Sequence, residues 1–145
     1  MTQLSEFLSL LKSQNALVSP GVAPNAITLV NTSLQQMRAA ILPQFMIDLY
    51  TQCGAINLGS GYIFGPQNVS RGIKHPIPDI VTINSELISI PQMHAKTLFG
   101  RNDLFWFAFD SFGTCYMLGN TNLDILRKYD DPYRAMTDCL VAGKF

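Results

Sequence analysis

The sequence predicts a single α+β domain with a central, mostly antiparallel mixed sheet flanked by helices. The chain has 145 residues, which is about the length of one domain. Apolar residues recur at helical spacing in the first third of the chain and again near its C-terminus. Between these parts, residues 95–118 contain short apolar runs separated by turn residues, a pattern typical of antiparallel strands.

Two helices are expected before the first internal break. The first spans residues 4–13, where leucines and a phenylalanine share one helical face. Two prolines then predict a loop over residues 15–25, in which Asn25 can cap the next helix. That helix is expected over residues 26–40, although its β-branched start also fits a strand.

A third helix and a glycine-rich stretch follow. The helix is expected from Pro43, a favoured first helical residue, to Cys53, with Gly54 supplying the C-terminal residue. In the glycine-rich stretch, residues 62–64 are a short strand candidate. Residues 79–87 fit a strand in part, but the spacing of their isoleucines and the Asp at their start favour a helix.

Three strands are expected in the C-terminal half, over residues 95–99, 103–110 and 114–118. The second contains an unbroken apolar run, which predicts a central strand covered on both faces. Trp106 and Phe109 are therefore expected to be mostly buried.

Aspartates are expected to stabilise a turn and to cap the last helix in the C-terminal half. Asp110 precedes Ser-Phe-Gly, and its side chain is expected to support that turn. The last helix is expected to begin near Pro132, with Asp130 or Asp131 as its cap, and to stop at Gly143.

Composition excludes several classes of function. The 10 basic and 10 acidic residues give a formal net charge of +0, which argues against a dedicated nucleic-acid-binding domain. Charged residues make up only 14% and apolar residues 48%, so the chain can form a substantial core. No signal peptide or membrane-spanning run is evident, so a cytoplasmic protein without membrane contact is expected.

No catalytic, metal or cofactor site is predicted. The three cysteines are Cys53, Cys115 and Cys139, all on apolar faces of expected elements, where buried and unreactive thiols are typical. Neither His75 nor His94 has a ligand partner at metal-binding spacing. Because no nucleophile, base and orienting group occur together, the chain is not expected to be an enzyme.

The order of these pieces resembles the SUKH superfamily, which contains bacterial immunity proteins and fungal cell-wall-assembly regulators. The resemblance covers residues 26–142, with the first 25 residues forming an N-terminal helix and loop of the same SUKH-like domain, 1–145. Cys53 stands where the family typically has Asn before the glycine. The similar pieces are Leu42-Pro43 before an amphipathic helix, the motif Phe109-Asp110-Ser111-Phe112-Gly113, and the helix after Asp131-Pro132-Tyr133.

The resemblance implies an intracellular, non-catalytic immunity protein that binds and neutralises a cognate bacterial toxin. The alternative that it also allows is a scaffold or regulatory protein-binding module of the same fold. In both cases the implied partner is a protein, and no catalytic residue is carried over from the family.

The partner surface is expected on loops, which rigid scaffolds commonly use for binding. The longest irregular stretch covers residues 55–78, and Arg101 with Asn102 at a strand turn forms a second candidate patch. Tyr62 and Phe64 either reach the partner or pack beneath their own loop. If neither patch binds, the helical face with Gln35 and Arg38 is the remaining candidate. The residues expected to contribute to partner binding are Arg71, Lys74 and Arg101.

Overall fold

The computed structural model describes residues 3–68 and 77–141, and this part of the chain confirms the α+β class. The helices are α1 Gln3–Ser13, α2 Pro24–Gln36, α3 Gln44–Gln52, α4 Ile80–Leu87 and α5 Pro132–Val141, with a 3-10 turn at Pro91–Met93. The strands are β1 Leu17–Pro20, β2 Cys53–Leu58, β3 Gly61–Ile63, β4 Lys96–Arg101, β5 Phe105–Asp110, β6 Cys115–Gly119 and β7 Ile125–Tyr129.

The seven strands form one sheet in the order β1-β2-β3-β4-β5-β6-β7, which is also their order along the chain. Among the described strands, each neighbouring pair is antiparallel, so the sheet is more uniform than the mixed sheet predicted. Short turns join β2 to β3 and β4 through β7, since antiparallel neighbours need no crossover.

Helix α5 packs closely across the middle of the sheet. A Cβ atom added at Gly61 would lie 2.6 Å from the carbonyl oxygen of Cys139, and one at Gly100 would lie 2.9 Å from its Sγ. These two glycines let the helix approach the strands at a distance that a larger residue would prevent. Next to this contact, Phe45 of α3 meets Phe99 and Phe109 edge to face, at 6.3 and 6.2 Å between ring centroids.

Helix α4 lies against the edge of β4 beyond the end of β3. The helix predicted over residues 79–87 is confirmed, and the Asp79 side chain caps it by accepting a hydrogen bond from the Thr82 amide. Buried Asn84 accepts from the Leu98 amide at 2.7 Å and donates to the Leu98 carbonyl at 2.9 Å. The Asn84 side chain thus satisfies the two backbone groups of Leu98 that a neighbouring strand would otherwise pair with.

Two strands lie where none was predicted in the N-terminal half. The expected loop contains β1, whose Ser19 hydroxyl accepts a hydrogen bond from the Ala55 amide at 2.7 Å. Helix α3 ends at Gln52, so Cys53 and Gly54 begin β2 instead of ending the helix. A Cβ at Gly54 would lie 2.4 Å from the Ser19 hydroxyl, so this glycine permits close strand pairing.

The boundaries of α2 and the existence of β7 also differ from expectation. Helix α2 starts at Pro24, after Ala23 rather than a capping Asn25, and ends at Gln36. Arg38 follows at φ +60°, a left-handed conformation that stops the helix short of residue 40. Strand β7 was not predicted because four of its five residues are exposed and its alternation is weak.

The aspartate-centred turn and the last helix follow the prediction. One Asp110 oxygen, Oδ1, accepts hydrogen bonds from the amides of Phe112 at 2.9 Å and Thr114 at 3.0 Å. Gly113 adopts φ +81°, which suits glycine. At the start of α5, Asp131 Oδ1 accepts from the Tyr133 amide at 2.9 Å. The predicted end at Gly143 lies outside the described residues.

Candidate partner-binding face

The two faces of the sheet differ in what covers them. Residues directly opposite each other in antiparallel strands point to the same face. Phe107 and Phe109 point toward the helices and are fully buried. The alternate residues of β5 point to the other side, together with their cross-strand partners. We call that side the open face and define it by Tyr62, Lys96, Arg101, Trp106, Asp110, Tyr116, Ile125 and Lys128.

Trp106 lies on the open face with intermediate burial and packs against the hydrophobic core, so the prediction that it is mostly buried is confirmed, although part of its ring reaches the surface. Its Nε1 donates a hydrogen bond to Asn120 Oδ1 at 2.8 Å, and the Arg101 guanidinium lies 4.9 Å from its ring centroid. Strand β5 is apolar on both faces. Phe107 and Phe109 are fully buried toward the helices, and on the open side Ala108 and its neighbours Leu98 and Leu118 are fully buried as well, so exposure there is confined to the residues around them. The companion prediction, that Phe109 is buried, is confirmed.

A cleft adjoins the Arg101–Trp106 pair at the β3 side of the open face. It has a volume of about 270 Å³, and its lining combines five apolar or aromatic residues with the charged residues Arg101 and Asp103. Phe64 is buried, whereas Tyr62 is partly exposed and lies opposite Arg101 in the strand register. The cleft is lined by Tyr62, Phe64, Ile77, Pro78, Ile83, Arg101 and Asp103.

A second polar cluster lies further along the same face. The Tyr116 hydroxyl donates to Asp110 Oδ2 at 2.7 Å, and Lys96 Nζ lies 5.7 Å from the Tyr116 ring centroid. Partial burial opposes ionisation of Asp110, but hydrogen bonds from Tyr116 and two backbone amides, with the charge of Lys128, lower its pKa overall. The hydrogen bond to Asp110 raises the pKa of Tyr116, so this donor stays protonated.

The structure describes only part of the predicted binding set, and it does not test whether that set binds a partner. Arg71 and Lys74 lie outside the described residues, as does His75. Arg101 is exposed on the open face at the cleft rim. Asn102, by contrast, is buried: its Nδ2 donates to the Cys139 carbonyl and its Oδ1 accepts from the Phe105 amide. It therefore holds the turn and is not available to a partner.

The sequence pattern placed Trp106 in the core but did not indicate that part of its ring reaches the open face. Trp106 lies in a continuous apolar run, where the alternation that marks the exposed side of a strand is absent. One signal was present: Arg101 lies just before the turn and Trp106 just after the start of β5. A tight connection between two paired strands brings such residues opposite each other, and they are register partners here.

The three cysteines are buried and free, as predicted. Burial raises the pKa of Cys53 to about 11 and that of Cys115 to about 12, and it raises the pKa of Cys139 further. All three are therefore protonated thiols near neutral pH, a form that is a poor nucleophile.

Residues 3–68 and 77–141 contain no group of three or more His, Cys, Asp or Glu side chains able to hold a metal ion. Within the same residues, no helix has both the length and the apolarity needed to span a membrane. No family model, curated protein or solved structure matches the chain.

Proposed function

We propose that the chain is a non-catalytic immunity protein, related to the SUKH superfamily, that binds and neutralises a cognate bacterial toxin in the cytoplasm. In this proposal the partner binds the open face of the sheet and the adjoining cleft. Arg101 contacts the partner directly. We include Arg71 and Lys74 in the proposed interface because they shortly precede the cleft residue Ile77 in the sequence.

The resemblance to that superfamily is supported by the turn after β5. Asp110 organises the Phe-Asp-Ser-Phe-Gly motif with its own side chain, and Gly113 supplies the left-handed residue. The residues of this motif stabilise a turn, so the motif has a structural role and not a catalytic one in this proposal. The buried thiols favour the same interpretation, because their raised pKa values suit packing rather than nucleophilic chemistry.

The observation that carries the proposal is the Arg101–Trp106 pair beside an apolar cleft. Arg and Trp are enriched among the residues that dominate protein–protein binding energy, and such residues commonly border pockets. Here the tryptophan is held in place by Asn120 and by the stacked guanidinium, so little side-chain freedom remains to be lost on binding. A preorganised aromatic–cation pair is therefore a suitable centre for an interface.

The proposal is tested by co-expressing the chain with the product of the gene immediately upstream in its genome, and measuring growth of the host. Expression of that product alone should stop growth, and the chain should restore it by forming a complex that co-purifies. A chain carrying Arg101→Glu should restore growth less well. The matched control is Arg38→Glu, which reverses an exposed arginine beyond α2, on the helical side of the molecule.

Growth arrest that the chain does not relieve, with no complex formed, would contradict the immunity function. A complex that forms without any toxicity of the upstream product would favour the alternative, a scaffold or regulatory module. Equal loss of rescue in the Arg38→Glu control would move the interface to the helical face.

A further inference from the structure

The open face carries three cations that form no ion pair among the described residues. Lys96, Arg101 and Lys128 all belong to it. All ten Asp and Glu side chains belong to the described residues, and the two ion pairs formed there join Arg127 and Arg134 to Asp138. Within residues 3–68 and 77–141, the three open-face cations therefore make no ion pair with a carboxylate.

The carboxylates nearest to these cations are few. Asp110 is engaged by the Tyr116 hydroxyl and two backbone amides, so its oxygens are already hydrogen-bonded. Asp103 is exposed at the cleft rim, but it makes no ion pair with Arg101 among the described residues. Glu6 and Asp131 line a separate groove between α1 and α5. Within residues 3–68 and 77–141, the open-face cations therefore have no directly paired carboxylate.

Apolar groups accompany the cations on this face. Ile125 is 54% exposed and lies in the same cross-strand row as the partly exposed Trp106, with the fully buried Leu118 between them. The apolar cleft begins at the other side of Arg101. Alternating cationic and apolar positions across a sheet match a ligand that presents carboxylates and apolar side chains in turn.

We infer that the open face binds a protein segment in which carboxylate side chains alternate with apolar ones. The carboxylates pair with Arg101, Lys96 and Lys128, and an apolar side chain enters the cleft beside Tyr62. This inference rests on the proposed function, since it specifies the chemistry of the partner surface.

A single-stranded nucleic acid also pairs with cations and aromatic rings, but this face suits it less well. Such ligands stack successive bases on exposed rings along a positively charged groove. Here Arg101 already lies over the Trp106 ring and the Tyr116 hydroxyl is committed to Asp110. The two carboxylates on or beside the face would also repel phosphates. A protein segment needs only isolated carboxylate contacts, so it fits the observed arrangement better.

The chain contains one tryptophan, Trp106, so its fluorescence reports directly on the open face. The probe is a short synthetic peptide in which Glu alternates with Leu, titrated against the whole chain. Its matched control replaces each Glu by Lys, and an oligothymidylate provides the nucleic-acid comparison. We expect the Glu peptide to change Trp106 emission saturably and more weakly as salt is added, because the charge pairs are solvent-exposed.

Charge reversal at two open-face positions tests whether these cations contact the peptide, and charge reversal at a position off this face is the control. Arg101→Glu and Lys128→Glu should each weaken binding of the Glu peptide about tenfold, whereas Arg38→Glu should leave it unchanged. Circular dichroism verifies that each variant is folded. No emission change with the Glu peptide, equal binding of the Lys peptide, or preferred binding of the oligothymidylate would each overturn the inference.

The inference and the proposed function fail in different experiments. Restored growth that survives both Arg101→Glu and Lys128→Glu would overturn the acidic-partner inference and leave the immunity function standing. Peptide binding that depends on Arg101, in a chain that never restores growth, would overturn the immunity function and leave the binding chemistry in place.

Discussion

The two faces of β5 use the same kind of residue for opposite purposes. Toward the helices, Phe107 and Phe109 are fully buried and pack in a ring cluster with Phe99. On the open face, Trp106 is partly exposed, hydrogen-bonded to Asn120 and stacked on Arg101. Aromatic content alone thus does not distinguish core from surface. What distinguishes the faces is whether a ring's neighbours are other rings or polar groups that can also meet a partner.

Among the variants considered, removal of a ring from the helix-facing side should cause the largest loss of stability. Phe109→Ala should lower the free energy of unfolding by about 3–5 kcal/mol, because the cavity left between Phe45, Phe99 and the sheet cannot collapse fully. Denaturant unfolding followed by circular dichroism measures it. A loss below about 1 kcal/mol would contradict the assignment of this face as the core.

The same experiment on the open face should give a smaller effect. Trp106→Ala should cost about 1–2 kcal/mol, since the ring is only partly buried and its hydrogen bond to Asn120 is exposed. Phe109→Ala, studied under the same conditions, is the reference for this comparison. Equal losses in the two variants would mean that the open face is as tightly covered as the helical one.

The sequence predicted most of the helices and the Asp-centred turn, but it did not predict which side of the sheet the helices leave uncovered. Helical spacing correctly indicated α1, α3 and α5, and the Asp-centred turn was recognised from its residues. The strands β1 and β2 were missed because proline in one and a capping-type glycine in the other are typical of loops and helix ends. Their formation depends on a long-range contact, the Ser19 hydroxyl with the Ala55 amide.

The candidate site was predicted less completely for a related reason. Arg101 was selected from its residue type and its position at a turn. Trp106 was assigned to the core, against which it does pack, but a six-residue apolar run does not show which of its side chains also reach the surface. Which face receives the helices is decided by residues distant in the chain, such as Gly61 and Gly100 beneath α5.

The turn cluster of the open face provides a test that depends on pH. The pKa of Asp110 is lowered in the folded chain, so its ionised form stabilises the fold above the unfolded-state pKa of about 3.9. That contribution is lost as the pH falls through the lower folded-state value. Asp110→Asn should therefore lose less stability than the native chain when the pH is lowered from about 5 to about 2. Parallel pH profiles for the two proteins would contradict this role.

The smallest effect is expected at the tip of the same turn. Phe112 is 94% exposed, so Phe112→Ser should change the free energy of unfolding by less than about 0.5 kcal/mol. The neighbouring Gly113→Ala is the contrasting variant, because its φ of +81° strains any residue with a Cβ. A large loss in Phe112→Ser would indicate that this ring packs against the protein.

The junction between Asn84 and Leu98 has a consequence for local motion. The Leu98 amide is hydrogen-bonded to the Asn84 side chain of α4 and not to a neighbouring strand. Its exchange with solvent deuterium therefore requires α4 to separate from β4, whereas the amides between β4 and β5 exchange only when the sheet itself opens. The exchange rate at this one amide measures how often α4 detaches while the rest of the sheet remains intact. Because Ile83 of α4 also lines the cleft, the same rate measures how often the cleft loses one of its walls.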